Sequence, residues 1–99
     1  MPARRITDAE LKEQAEILAL RALAFVLADD RRAQRFVALT GIDPTRLQAG
    51  NFDAAIHEGV LDFLLGDEPM LLEFCAWAEI DATAPAHALR AVSAHRTMD

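Results

Sequence analysis

Helix start and stop signals punctuate this chain from end to end, and they divide it into short helical segments before any pattern of hydrophobicity is consulted. Thr7 and Glu10 stand at the spacing of a capping box, with Ile6 and Leu11 at the positions of a hydrophobic staple. Asp29-Asp30, Asp43, Asp53, Asp67 and either Asp81 or Thr83 are further N-cap candidates, and Asp43-Pro44 has the order of a cap followed by a first helical residue. Gly41 and Gly66 are stops; Gly41 suits a left-handed residue, with Ile42 after it to pack back on the helix. Between the signals no stretch alternates apolar and polar residues as a half-buried strand does. Twenty alanines, thirteen leucines and no tyrosine favour helix over strand. The expected architecture is all-α, one compact domain over residues 1–99 with five or six helices and frayed ends at 1–6 and 96–99.

Helical spacing assigns the inward faces. Leu11, Ala15, Leu18, Ala22 and Phe25 recur along the first helix. Its second half carries only Arg21 as a polar residue before Asp29, which predicts a helix surrounded on all sides at the centre of the fold. The next helix directs Ala33, Phe36, Val37 and Leu39 inward and Arg31, Arg32 and Arg35 outward. A third short helix ends near Gly50-Asn51, a fourth turns Ile56, Val60, Phe63 and Leu64 inward, a fifth carries Met70 to Trp77, and a last one sets Ala86, Leu89 and Val92 on one face.

Residues 23–45 align with 61–83 at an offset of 38 without gaps, with nine identities that include Phe25/Phe63, Asp29/Asp67, Phe36/Phe74, Asp43/Asp81 and Thr45/Thr83. These are the aromatics, caps and corner residues that a helix–corner–helix–corner unit needs. Two such units in one small chain predict a pseudo-two-fold pair sharing a core, since a solenoid generally needs three or more. The alternative is chance likeness between leucine-rich helices. Glu79 falls where Gly41 stands, so the second unit is expected to lack the left-handed stop or to strain it.

The segments 15–25 (AEILALRALAF), 35–44 (RFVALTGIDP) and 60–65 (VLDFLL) resemble a family of small bacterial proteins known only as domain of unknown function 3572, over roughly residues 10–90. The resemblance implies a compact helical fold and a cytoplasmic, bacterial setting. It brings no activity, cofactor or catalytic residue, because the matching segments are core and corner segments.

Charge is unevenly divided in a chain of net charge −6. Residues 51–80 hold seven acids, Glu58, Asp62 and Glu73 among them, and no lysine or arginine. This is either a solvated face that keeps the protein soluble or a landing face for a basic partner. Arg31, Arg32 and Arg35 form the main basic cluster, on a helix followed by a glycine corner and another helix, the outline of a helix-turn-helix. Nucleic-acid binding through them is the alternative function, disfavoured by the acidic total.

Nothing in the sequence carries a recognisable reaction or cofactor site. There is no glycine-rich phosphate loop, paired-histidine metal motif or nucleophile elbow, and a lone cysteine makes no internal disulfide. His57 follows Asp53 by one turn and is expected to pair with it; His87 and His95 are expected at the surface. Cys75 sits among apolar and acidic neighbours, which do not lower a thiol pKa. The longest low-polarity stretch, 17–28, spans about 18 Å as a helix, too short for a bilayer. The fifth helix is the informative one, because between Met70 and Ala78 only Glu73 is polar. A domain this small cannot bury both it and the first helix on all sides, so part of the set Met70, Leu72, Phe74 and Trp77 is expected at the surface, rimmed by acids such as Glu73, as a partner or homodimer interface. A core tryptophan with a satisfied N–H is the competing reading. The expected function is non-enzymatic protein–protein interaction or self-association in the cytoplasm, with no metal, cofactor or membrane span.

Overall fold

A computed structural model describes residues 6–97, with side chains through Ala94. Six helices follow in order: α1 (Asp8–Leu27), α2 (Asp30–Thr40), α3 (Pro44–Gln48), α4 (Ala54–Leu65), α5 (Glu68–Ala78) and α6 (Ala84–Thr97). There is no strand among the described residues, and the fold is an all-α bundle.

Each start signal is occupied as its chemistry requires. The Thr7 hydroxyl accepts the Glu10 N–H at 3.1 Å while the Glu10 carboxylate accepts the Thr7 N–H at 3.3 Å. Asp29, Asp53 and Asp67 each accept the N–H three residues on, at 3.1, 3.1 and 3.2 Å. Asp43 and Asp81 instead close a turn two residues on, accepting both the N–H and the hydroxyl of Thr45 and of Thr83. α6 runs through Thr97; of the ends expected to fray, at 1–6 and 96–99, residues 1–5, 98 and 99 lie outside the described residues.

Packing centres on α1 and α4, which touch each other. α6 lies against both, and α2 and α5 each contact both as well. Phe36, Phe74, Ile56, Leu61, Leu64, Val26 and Val60 are fully buried between them. Phe25 of α1 meets Phe74 of α5 with ring centroids 5.5 Å apart, and Phe63 of α4 meets Phe36 of α2 at 5.3 Å. At the offset of 38, Phe25 corresponds to Phe63 and Phe36 to Phe74. The ends of α1 and α4, and both ends of α2 and α5, coincide at the same offset. Correspondence stops after the second corner, where α3 is five residues long and α6 fourteen.

The corner at Glu79 takes the left-handed conformation of its counterpart: Gly41 has φ 72° and Glu79 has φ 57°. The strain that the missing glycine predicts is therefore present. Around Glu79 the Ile80 N–H donates to the Cys75 carbonyl at 3.0 Å and the Glu79 N–H to the Ala76 carbonyl at 3.3 Å, a complete Schellman closure. Gly41 closes more simply, its N–H donating to the Val37 carbonyl at 2.9 Å. There the Thr40 hydroxyl relays, donating to the Phe36 carbonyl and accepting the Ile42 N–H.

Three expectations about burial are corrected. The second half of α1 is not enclosed: Ile17, Leu20, Ala24 and Leu27 lie on its exposed side, because α2, α4, α5 and α6 cover only the opposite half of the cylinder. Leu39, assigned inward, is the most exposed large apolar side chain among the described residues. It sits one turn after the exposed Arg35, and residues four apart share a helix face. Leu11, the staple residue, is also exposed, as is Ile6.

Candidate interaction surface

α5 distributes its apolar run over two faces. Phe74 is fully buried, which removes it from the expected interface: it fills the space between α1 and α4 against the Phe25 ring. Met70 is half-buried and packs on the core. Leu72 and Trp77 remain outside, 49% and 56% exposed, with the exposed Glu73 between them. One edge of the Trp77 indole rests against Phe25, at 5.6 Å between centroids, so the ring is held in place while most of it faces solvent.

The arginines of α2 do not share one surface. Arg32 folds back over α1, its guanidinium 4.0 Å above the Phe25 ring and donating to the Phe25 carbonyl from Nη2 at 2.8 Å and Nε at 3.1 Å. That carbonyl belongs to the last turn of α1, and the arginine takes the place of a missing intrahelical donor. Arg35 reaches α5's cap, with Nε 3.7 Å from the Asp67 carboxylate, and its side chain stays 58% exposed. Arg31 is exposed. A basic patch of three is thus reduced to Arg31 and Arg35, which weighs against phosphate recognition.

His57 does not pair with Asp53, contrary to expectation. Asp53 is taken by the Ile56 N–H and by the Arg46 guanidinium, while His57 points inward, 7% exposed, with neither ring nitrogen hydrogen-bonded. Cys75 is buried, and desolvation, with the Asp81 charge behind it, pushes its thiol pKa up, opposite to what a nucleophile needs. His87 is exposed, and the side chain of His95 lies outside the described residues. Among the described residues no three His, Cys, Asp or Glu side chains gather as a metal's donors would, and no helix is long and apolar enough to cross a membrane.

A groove of about 420 Å³ runs between α2 and α4, with Arg35, Leu39, Asp62 and Asp67 at its rim and Gly59 and Phe63 in its wall. At the offset of 38 the counterpart of Gly59 is Arg21, whose Nη2 donates to the Ala78 carbonyl at 2.9 Å and ties α1 to the end of α5. Neither Leu39 nor Arg21 was singled out in the sequence as a surface or fastening residue. The signal for Leu39 was its place one turn after Arg35. For Arg21 it was a lone charge in an apolar run, since such a charge in a small helical domain has to reach a carbonyl or solvent.

No curated protein and no solved structure matches this chain. A family model described as "Protein of unknown function (DUF3572)" matches residues 12–95, a stretch that takes in all of α2 to α5 and most of α1 and α6. The chain therefore belongs to the DUF3572 family.

Proposed function

We propose that this protein is a non-enzymatic interaction module of the cytoplasm, and that it works by presenting apolar side chains on α2 and α5 to a protein partner. The observation that carries the reading is that the two most exposed large apolar side chains among the described residues, Leu39 at 65% and Trp77 at 56%, occupy corresponding positions of the two aligned segments. Chance exposure scatters apolar residues singly, whereas here the same position is left uncovered twice. The reading takes residues 23–45 and 61–83 as degenerate copies of one unit, each ending its second helix with an outward apolar side chain. A few anchor residues, tryptophan prominent among them, supply most of the energy of protein interfaces.

The test is capture by the tagged chain in cells of the organism it comes from, comparing wild type with Leu39→Ser and Trp77→Ser. A species retained by wild type and released by both variants, whether another protein or a further copy of the chain, supports the reading. Identical retention by all three, or none by any, refutes it. Circular dichroism of the purified variants establishes that they are folded.

A further inference from the structure

The geometry points to a second copy of this chain as the partner, with the outward face of α2 docking on the outward face of α5 of its neighbour. The inference rests on the interaction reading above and deepens it by naming the occupant.

The argument is complementarity between two faces that one chain carries. On α2, Arg35 and Leu39 stand one turn apart and both are exposed; on α5, Glu73 and Trp77 do the same. The spacing is identical and the charges are opposite. Beside each pair lies an exposed alanine, Ala38 and Ala76, small enough to let two helix axes approach to the usual 8–10 Å. Arg35 is held only loosely within its own chain, 3.7 Å from Asp67 and more than half exposed, so it is able to turn toward a neighbour. The seven acids of residues 51–80 have no lysine or arginine among them; within the chain Arg46 pairs with Asp53 and Arg35 with Asp67, and Glu73, one turn before Trp77 on the exposed side of α5, is the carboxylate that an α2 face of another molecule would meet. An arbitrary partner would need to match one of these faces; a second copy matches both. Arginine against glutamate then sets register, and leucine against tryptophan supplies the apolar area.

The contact is heterologous, since α2 meets α5 rather than itself, and this gives it a distinctive test. The full-length purified chain is examined by sedimentation velocity from low micromolar to millimolar concentration, together with Arg35→Glu and Glu73→Arg. Wild type is expected to self-associate, and each reversal to weaken association about tenfold or more, because like charges then face each other. Mixing the two variants in equal amounts is expected to restore association, because each altered face finds its opposite on the other variant. Leu39→Ser, at a side chain that buries little and without a new charge beside Arg35, is expected to weaken association while leaving the Asp67 pair in place, and so covers the case in which Arg35→Glu fails to fold. Wild type that stays monomeric throughout, reversals that associate like wild type, or folded variants whose mixture does not restore association would each overturn the inference. A monomeric chain that still captures a different protein through Leu39 and Trp77 sinks the second-copy assignment and leaves the interaction reading standing. If nothing is captured either, both fall.

Discussion

Replacing Glu79 with glycine is expected to stabilise the protein. Glu79 is the one non-glycine residue with positive φ among those described, at φ 57° and ψ 49°. An L-residue in this region suffers a Cβ–carbonyl clash worth about 1–2 kcal/mol, which glycine lacks. Glycine in turn gives the unfolded chain more freedom, a loss of about 0.4–1 kcal/mol. The difference leaves a net gain of about 0.5–1 kcal/mol. In a domain of this size that raises Tm by about 3–6 °C. The exposed Glu79 side chain has no ion pair to lose among the described residues, so the backbone effect is read cleanly. Gly41→Ala is the matched control. Nothing lies within 4 Å of where its Cβ would stand, so its cost is conformational alone and is expected to be about 1 kcal/mol. Thermal and urea unfolding of Glu79→Gly, Gly41→Ala and the double variant provide the assay. The two effects should add, because the corners share no partner. A Glu79→Gly protein no more stable than wild type would refute the account of the second corner as strained where Gly41 is not.

Other consequences follow from the same contacts. Arg32→Ala is expected to lower stability by about 1–2 kcal/mol through loss of the stacked guanidinium and its bonds to the Phe25 carbonyl, and Arg32→Lys to recover less than half, since an ammonium cannot make the fork; urea midpoints decide it. His57→Leu, which replaces a buried ring without hydrogen bonds by an apolar side chain, is expected to raise stability by about 1 kcal/mol, and a drop of that size would show that the imidazole has a partner. Four carboxyls sit below their ordinary pKa: Asp29 and Asp53 chiefly through backbone N–H donors from Arg32 and Ile56, Asp43 and Asp81 chiefly through the hydroxyls of Thr45 and Thr83. Depressed folded values mean that their stabilisation is complete above the unfolded value of about 3.9 and is lost as pH falls through the folded ones, so acid unfolding followed by circular dichroism should begin below about pH 4; onset near pH 6 would assign it to other groups. The buried Cys75 thiol is expected to react slowly with a disulfide reagent in the folded protein and rapidly in urea, and equal rates would contradict its burial.

Helix limits were legible in this sequence because they are written in local chemistry. Asp29, Asp43, Asp53 and Asp67 sit where a carboxylate satisfies N–H groups that no carbonyl reaches, and that requirement depends on a few neighbouring residues only. The strained corner was legible for the same reason: Gly41 and Glu79 occupy one place in two aligned segments. The destination of side chains was less so. Leu39 was sent inward by its chemistry although its spacing from Arg35 put it outside. Arg32 and Arg35, neighbours in any count of basic residues, part company because Arg32 finds the Phe25 carbonyl on one side of α2 and Arg35 finds Asp67 on the other. Asp53 and His57 stand one turn apart, yet a cap carboxylate is already committed to its own helix and to Arg46. Each of these outcomes depends on a competitor from another element, which spacing along one helix does not reveal.

Where the aligned segments agree and where they differ follows a physical division. Inside, each phenylalanine of α1 or α4 meets the corresponding phenylalanine of the other segment's short helix, and both aromatic pairs are kept, since a close-packed core tolerates little change of volume. Outside, where packing sets no such limit, Arg35 corresponds to Glu73 and Leu39 to Trp77 across the alignment, and two residues before it, at the same offset, Arg21 corresponds to Gly59. The last difference shapes the surface most. Arg21 crosses to the Ala78 carbonyl and fastens α1 to α5, whereas Gly59 lets Ile42 approach to 3.1 Å of where a Cβ would stand and leaves the α2–α4 groove open. At the same corner the Thr40 hydroxyl bonds both the Phe36 carbonyl and the Ile42 N–H, without help from a neighbouring helix. The two sides of the bundle thus keep one core while presenting opposite charges, and recognition between unlike faces of like molecules needs that combination.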